Sequence, residues 1–448
     1  MRHHLILLAS ALALTPFASG QHRYADVTTK LRERGLTELG AYALLDDLTT
    51  SVGHRISGSP GAEKAVQWGK ATMERLRFQN VRLVPTMSPR WVRGDVEECS
   101  ARSAAGSFPL KCAALGTSPG TPAEGVSAEV IEVRSIDEVA KLGDRAKGKI
   151  IFYNRSFDPT LVSTFAQYGA AGDQRFAGPA AAAKVGAVAA IVRSLTGDPD
   201  DVPHTGTTRN PGIPAAALSV VAAERLSRAL KDGPVTVTLK LSCENLPPVP
   251  SANVVGELVG TEKPNEVIVM GGHLDSWDKG QGAHDDGAGV CQSLDALRLI
   301  RASGLRPKRT IRVVLFMDEE IGGTGSEAYA QLAKSSKERH IAALESDAGG
   351  FTPRAFTSSH KALKKLDKWL PALGEFGIER FLPGGGGADV APLGPMGAVM
   401  FGLRPDGQRY FDYHHSDKDT LDKVHPRELQ LGALAMATLV WLISQEGV

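Results

Sequence analysis

Apolar residues follow two rhythms along this chain. Between His22 and Asn80 they recur at helical spacing, broken at Gly53 and at "SGSPG", so two or three helices are expected before the strand "VRLVP". From Leu115 to Ser242 the pattern shortens to the β-branched runs "SAEVIEV", "GKIIFYN", "AVAAIVR" and "VTVTLKL", with helical "GPAAAAKVG" between the second and third. This stretch predicts a smaller mixed β/α insert over residues 115–245, bounded downstream by the linker "NLPPVPSAN". From Val254 strands and helices alternate: "EVIVM", "GVCQSLDALRLI", "IRVVLF", "SEAYAQLA", "IAALES", "HKALKKLDKWL" and "AVMFGL", then a terminal helix. Alternation of this kind specifies an α/β fold with a mostly parallel central sheet flanked by helices. Residues 21–114 and 246–448 are then two parts of one larger domain that the insert interrupts.

The first 20 residues stand apart. Arg2, an apolar run from Leu5 to Phe17 and the small residues Ala18, Ser19 and Gly20 have the form of a secretory signal peptide. The run is too short to cross a hydrocarbon core of roughly 30 Å. Residues 1–20 are therefore set aside from the fold, and the protein is expected to be exported, either secreted or periplasmic. Near the other end, "LQLGALAMATLVWLI" follows Pro426 and contains Gln430 and Thr438. It reads as a buried closing helix, so no stable membrane insertion is expected once the leader is removed.

Composition narrows the function. Lysine plus arginine (51) nearly balance aspartate plus glutamate (50), so no net field draws in nucleic acid or an anionic membrane. Partners must be chosen by local sites. Four cysteines suit an exported protein; Cys99 and Cys112 flank one short loop and are the expected disulfide, while Cys291 sits on a helical face as a small buried hydrophobe. None has C-x-x-C spacing.

The local signal lies where the strands end. "EVIVMGG" runs into His273 and Asp275, "IRVVLFMD" into Glu319 and Glu320, and "IAALES" into Asp347. After "AVMFGL" comes a loop, "DYHHSDKDT", with His414, His415 and Asp419. Parallel sheets place ligands beyond the carboxyl ends of their strands. So many carboxylates at one sheet edge repel one another unless a multivalent cation neutralises them. Histidine with carboxylate and no cysteine suits zinc or a similar divalent metal. His273, Asp285, Glu320, Asp347 and His415 can hold two ions about 3.5–4 Å apart if one carboxylate bridges them. The glycines of "GGHLDSWDKGQGAHDDGAGV" let the backbone pass close to such ions. Asp286 is expected to cap the helix that begins near Gly287, and Asp278 and His284 to be ordinary loop residues.

Two other motifs carry no chemistry. "GTSPG" matches a serine-hydrolase elbow, but Pro119 follows Ser118 and has no N–H for an oxyanion hole. "GTGSEA" lies between a strand and a helix like a dinucleotide loop, but the acids of "DEEIG" just before it would repel a pyrophosphate.

Five motifs in order, "GGHLDSW", "GAHDDGAG", "MDEE", "ESDAGG" and "HHSDKDT", resemble the two-zinc exopeptidase family that includes secreted bacterial aminopeptidases, within it the carboxypeptidase Q group. The resemblance runs from about Gly53 to the C-terminus and includes an insert similar to a protease-associated domain. It implies two zinc ions, one held by His273 and Asp347 and the other by Glu320 and His415, with Asp285 bridging. It implies that Glu319 is the general base and that Asp275 orients His273. Several relatives carry tyrosine just before the last histidine ligand; here His414 stands in its place, as in the carboxypeptidase Q group, and is expected to donate a hydrogen bond to the oxyanion. The run "PGGGGADVAPL" is similar to the family's substrate-facing loop. A homodimer is implied as well. The expected activity is hydrolysis of dipeptides or short peptides near a free terminus; aminopeptidase action on longer peptides and a non-catalytic binding relative are the alternatives.

Overall fold

The computed structural model describes residues 22–448, so the leader-like residues 1–20 lie outside it. The larger sheet has eight strands, in the order Gln79–Val92, Glu244–Leu258, Arg309–Phe316, Lys263–His273, Arg339–Glu345, Val399–Pro405, Pro353–Ser358 and Arg380–Pro383. The four strands from Arg309–Phe316 to Val399–Pro405 are mutually parallel. Antiparallel pairings join this parallel core to the strands on either side of it. Arg309–Phe316 is buried at every position, as a strand covered on both faces should be. The parallel core sends its carboxyl ends to one edge.

Helices cover the faces. Ala288–Ala302 and the terminal helix Pro426–Glu446 contribute to the main hydrophobic core with Leu44, Leu45 and Leu48. The terminal helix is long and apolar enough to cross a membrane, but 83% of its apolar window is buried inside the protein. Its polar position explains itself: Gln430 Nε2 donates to Asp295 Oδ2 at 2.7 Å, and its Oε1 accepts from Ala41 N at 3.1 Å. Buried polar groups persist when they are paired in this way.

The second sheet also has eight strands, in the order Gly106–Pro109, Glu97–Ser103, Thr236–Leu241, Val126–Val133, Ile150–Tyr153, Ala189–Arg193, Ala215–Leu218 and Cys112–Ala114. Three of these precede residue 115, so the sheet starts upstream of the boundary read from the apolar pattern. Those strands are short and carry serine, arginine and glycine, which conceals their alternation. The "NLPPVPSAN" stretch is not a free linker: it lies in strand Glu244–Leu258, where Met87 pairs with Pro250 and Thr86 with Ser251. The partner on its other side is engaged only from Val254 onward. The prolines therefore face an open edge, where a missing N–H costs no ladder bond. Nor does "HKALKKLDKWL" form one helix. It breaks into the turns Leu363–Lys365 and Asp367–Trp369 before the four-residue helix Leu370–Leu373, which contains Pro371.

The disulfide expected between Cys99 and Cys112 is not formed. All four cysteines are free and buried.

Candidate active site

The strand-end residues converge. His273 closes its strand, and its Nε2 lies 3.1 Å from Asp285 Oδ1 and 3.7 Å from Asp347 Oδ1. On the far side of the same carboxylate, Asp285 Oδ2 is 3.2 Å from His415 Nε2 and 3.6 Å from His414 Nε2. His415 Nε2 is also 3.1 Å from Glu320 Oε2. The donor atoms of His273, Asp285 and Asp347 lie within 4.8 Å of one another, as do those of Asp285, His414 and His415. Asp285 belongs to both groups, as a bridging carboxylate must. His414 joins this second group beside the expected pair of Glu320 and His415, because it stacks face to face on His415 at 3.5 Å between centroids.

The shell around these groups is built from the same short segments. Asp286 takes two backbone hydrogen bonds, from His273 N at 3.0 Å and Gly289 N at 2.9 Å, so it caps helix Ala288–Ala302 and ties that helix to the His273 strand. A side chain at Gly272 or Gly289 would collide with the Asp286 carboxylate, which is why both positions are glycine. The Asp275 carboxylate stands 3.8 Å from His273 Nδ1, close to it as expected but beyond hydrogen-bond distance. Its oxygens accept from Asp318 N, Glu319 N and Glu320 N at 2.9, 3.1 and 3.3 Å, which sets the turn that carries both glutamates. His273 Nδ1 is held instead by the Asp275 main-chain oxygen at 3.0 Å.

Asp419 and Trp277 lie inside the quoted motifs without a role read from them, and Arg55 lies outside all of them. Asp419 accepts from His284 N at 2.7 Å and Asp285 N at 3.1 Å. Trp277 Nε1 donates to Glu320 Oε2 at 2.5 Å. Fully buried Arg55 donates to the carbonyls of Leu274, Gln281 and Gly282 at 2.6, 2.7 and 2.9 Å, pinning the loop between His273 and Asp285. Of the two residues set aside as loop residues, Asp278 pairs with Arg93, and His284 is buried in a stack with Phe351 and Tyr413.

The second sheet's module completes the site. His204 Nδ1 donates to His414 O at 2.7 Å and Thr205 N to His415 O at 2.9 Å, so a loop of the insert grips the main chain of the histidine pair. His415 is held at φ 61°, a left-handed conformation unusual for a residue with a side chain. Between the two modules lies a cavity of about 1060 Å³, lined by Asp285, Glu319, Glu320 and Asp347 on one wall and by Tyr168 and Arg175 of the insert on another. Ser118 is buried away from this chemistry, its hydroxyl donating to Pro119 O. The "GTGSEA" helix start is already capped by Asp318, whose Oδ2 accepts from Thr324 N at 3.1 Å.

The electrostatics call for a cation. Burial, with Asp347 and Glu320 as neighbours, raises Glu319 well above the usual carboxylate range. Burial and Asp285 raise Glu320 likewise. Among the described residues, two buried carboxylate oxygens, Asp285 Oδ2 and Glu320 Oε1, have no aligned hydrogen-bond donor. Orphaned buried acceptors beside imidazole nitrogens fit divalent metal and little else.

The sequence model of peptidase family M28 matches residues 253–440, a span that contains His273, Asp285, Glu319, Glu320, Asp347, His414 and His415. Carboxypeptidase Q from Bos taurus is 35% identical over 98% of this chain and 96% of its own length. The chain belongs to peptidase family M28. A crystal structure of an M28 peptidase precursor from Shewanella amazonensis superposes with a TM-score of 0.90 at 34% identity, covering 94% of this chain and 97% of that one. A zinc aminopeptidase from Bacillus subtilis, at 20% identity and a TM-score of 0.65 over 90% of this chain and 94% of that one, shares the fold. As an M28 peptidase similar over nearly its whole length to carboxypeptidase Q, the protein is an exopeptidase with the α/β fold of its family.

Proposed function

We propose that the protein is an exported dinuclear metallopeptidase that hydrolyses dipeptides or short peptides near a free terminus. The observation that carries this reading is Asp285, whose two oxygens face different donor groups, His273 with Asp347 and His415 with Glu320. These five residues would hold two zinc ions, which supply Lewis acidity to the substrate carbonyl and to the attacking water.

The protein's own residues divide the remaining work. Glu319 lines the cavity beside the donor groups without taking part in their contacts, so it is free to act as the general base. It takes a proton as the water oxygen bonds to the carbonyl carbon and the carbonyl pair moves onto oxygen. It returns that proton to the amide nitrogen as the C–N bond breaks. Asp275 keeps Glu319 in place through the turn it anchors. Burial, and then His415, push His414 well below the ordinary imidazole range. A neutral His414 at the cavity wall can donate its one N–H to the developing oxyanion.

A cavity of about 1060 Å³ walled by the insert suits a short peptide. Export is supported by the leader-like first 20 residues, and a homodimer by the family resemblance. The test is metal analysis together with a panel of blocked and unblocked dipeptides, with and without chelator. Chelator-sensitive cleavage that a blocked amino terminus abolishes is the expected result. Cleavage that persists when only the carboxyl terminus is blocked favours aminopeptidase action instead.

A further inference from the structure

We infer that Tyr168, carried into the cavity by the insert, is a second hydrogen-bond donor to the scissile carbonyl oxygen as it turns anionic, with Arg175 as the residue that positions it. The inference rests on the reading of the cavity as the hydrolytic site.

Tyr168 lies on the helix Thr164–Ala171 and lines the cavity together with Asp285, Glu320 and Asp347. Its ring is fixed on two sides. It stacks on Phe411 at 4.6 Å between centroids and meets His414 edge-on at 5.2 Å. The hydroxyl receives a hydrogen bond from Arg175 Nη2. A guanidinium has donors only, so the phenol oxygen must accept from it, and the phenol proton is left to point elsewhere. Among the described residues that proton has no acceptor. The neighbouring positive charge also makes the phenol a better donor.

Arg175 is itself locked. It is 2% exposed, and its Nη1 donates to Thr205 O at 3.2 Å and lies 3.5 Å from His415 Nδ1. Its Cζ sits 4.6 Å over the Phe176 ring, and any side chain at Gly206 would strike the guanidinium. Tyr168 is thereby referenced to His415 through a rigid cation. A hydroxyl on a ring set beside His414, in a cavity that the acid wall also lines, belongs to the region where charge develops in amide hydrolysis, as an oxyanion donor must. The insert then contributes directly to the chemistry as well as to the shape of the cavity.

The experiment uses the full chain loaded with zinc, with Tyr168→Phe, Arg175→Lys and Arg175→Met compared with the parent on an unblocked dipeptide. Tyr168→Phe is expected to lower kcat by about 100-fold with KM essentially unchanged, the loss typical of one oxyanion donor. In calorimetry its affinity for a phosphinic dipeptide analogue, a tetrahedral anion, should fall by a similar factor, while metal content and Tm stay at parental values. Arg175→Lys should retain more kcat than Arg175→Met. Parental kcat and parental phosphinate affinity in Tyr168→Phe overturn the inference, as does an effect confined to KM. Failure of the underlying site reading looks different: hydrolysis would survive in Glu319→Gln.

Discussion

His204 holds the main chain of His414, with Nδ1 donating to the carbonyl oxygen at 2.7 Å across the boundary between the two modules. Its other nitrogen is buried without a partner among the described residues, so this one bond fixes the imidazole. Because His415 follows directly in a left-handed conformation, loosening His414 should loosen the ligand. His204→Phe is expected to weaken zinc binding by about 10-fold, the usual effect of removing a support behind a ligand. Chelator competition measures it, and unchanged affinity would show that Thr205 alone holds the pair.

Asp275 gathers three backbone N–H groups, from Asp318, Glu319 and Glu320, onto one carboxylate. An amide in its place offers one acceptor oxygen and leaves at least one of those groups unpaired. Asp275→Asn should therefore reduce kcat by about 10- to 100-fold as the glutamate turn relaxes. Steady-state kinetics test this. A variant with full kcat would mean that the turn holds its shape without the carboxylate.

Chelation should abolish hydrolysis, and added zinc should restore it. Without cations the acid wall is self-repelling, so the metal-free protein should also melt at a lower temperature. Asp285→Asn weakens both donor groups at once, so elemental analysis should find fewer than two equivalents of zinc on it. Two tightly held equivalents on that variant would remove the bridging role.

The pH response can be read away from the metal centre. Burial, and then Arg312, lower the His340 imidazole to about 4, so it stays neutral in the folded state. Unfolded, the same group takes up a proton near its ordinary value of about 6.5. Between these values the unfolded chain binds the extra proton, so stability falls as pH falls from about 6.5 to about 4 and is unaffected above that window. His340→Phe should flatten that part of the curve by up to about 1.4 kcal/mol per pH unit. The check is urea midpoints for parent and variant at pH 7, 6 and 5; parallel curves would contradict the assignment.

The convergence of acids and histidines was legible because these residues follow strand ends, and strand ends are marked by a change from β-branched runs to glycine, acid and histidine. His273, Asp285, Glu320, Asp347 and His415 each lie in or just after such a change. Tyr168, Arg175 and His204 were not legible. They reach the site from a different sheet, through contacts such as His204 with His414 that span more than 200 residues and leave no local spacing to detect. The Asp275 carboxylate was placed beside His273, where it does stand at 3.8 Å from Nδ1, but its grip on the backbone of the glutamate turn, more than 40 residues away, left no local spacing to detect. In the fold, the proline-rich stretch before Asn253 looked like a linker since proline is rare in strands. Only the open edge beside it, a tertiary fact, makes it tolerable.

Strand order in the larger sheet differs from order along the chain: Arg309–Phe316 lies between Glu244–Leu258 and Lys263–His273, and the loop bearing His415 comes after the last strand to be added. During synthesis, then, the donor set stays incomplete until nearly the whole polypeptide has emerged. A partial product has His273 and Asp285 but not the opposing imidazole, so proteolytic capacity is withheld until folding is almost finished.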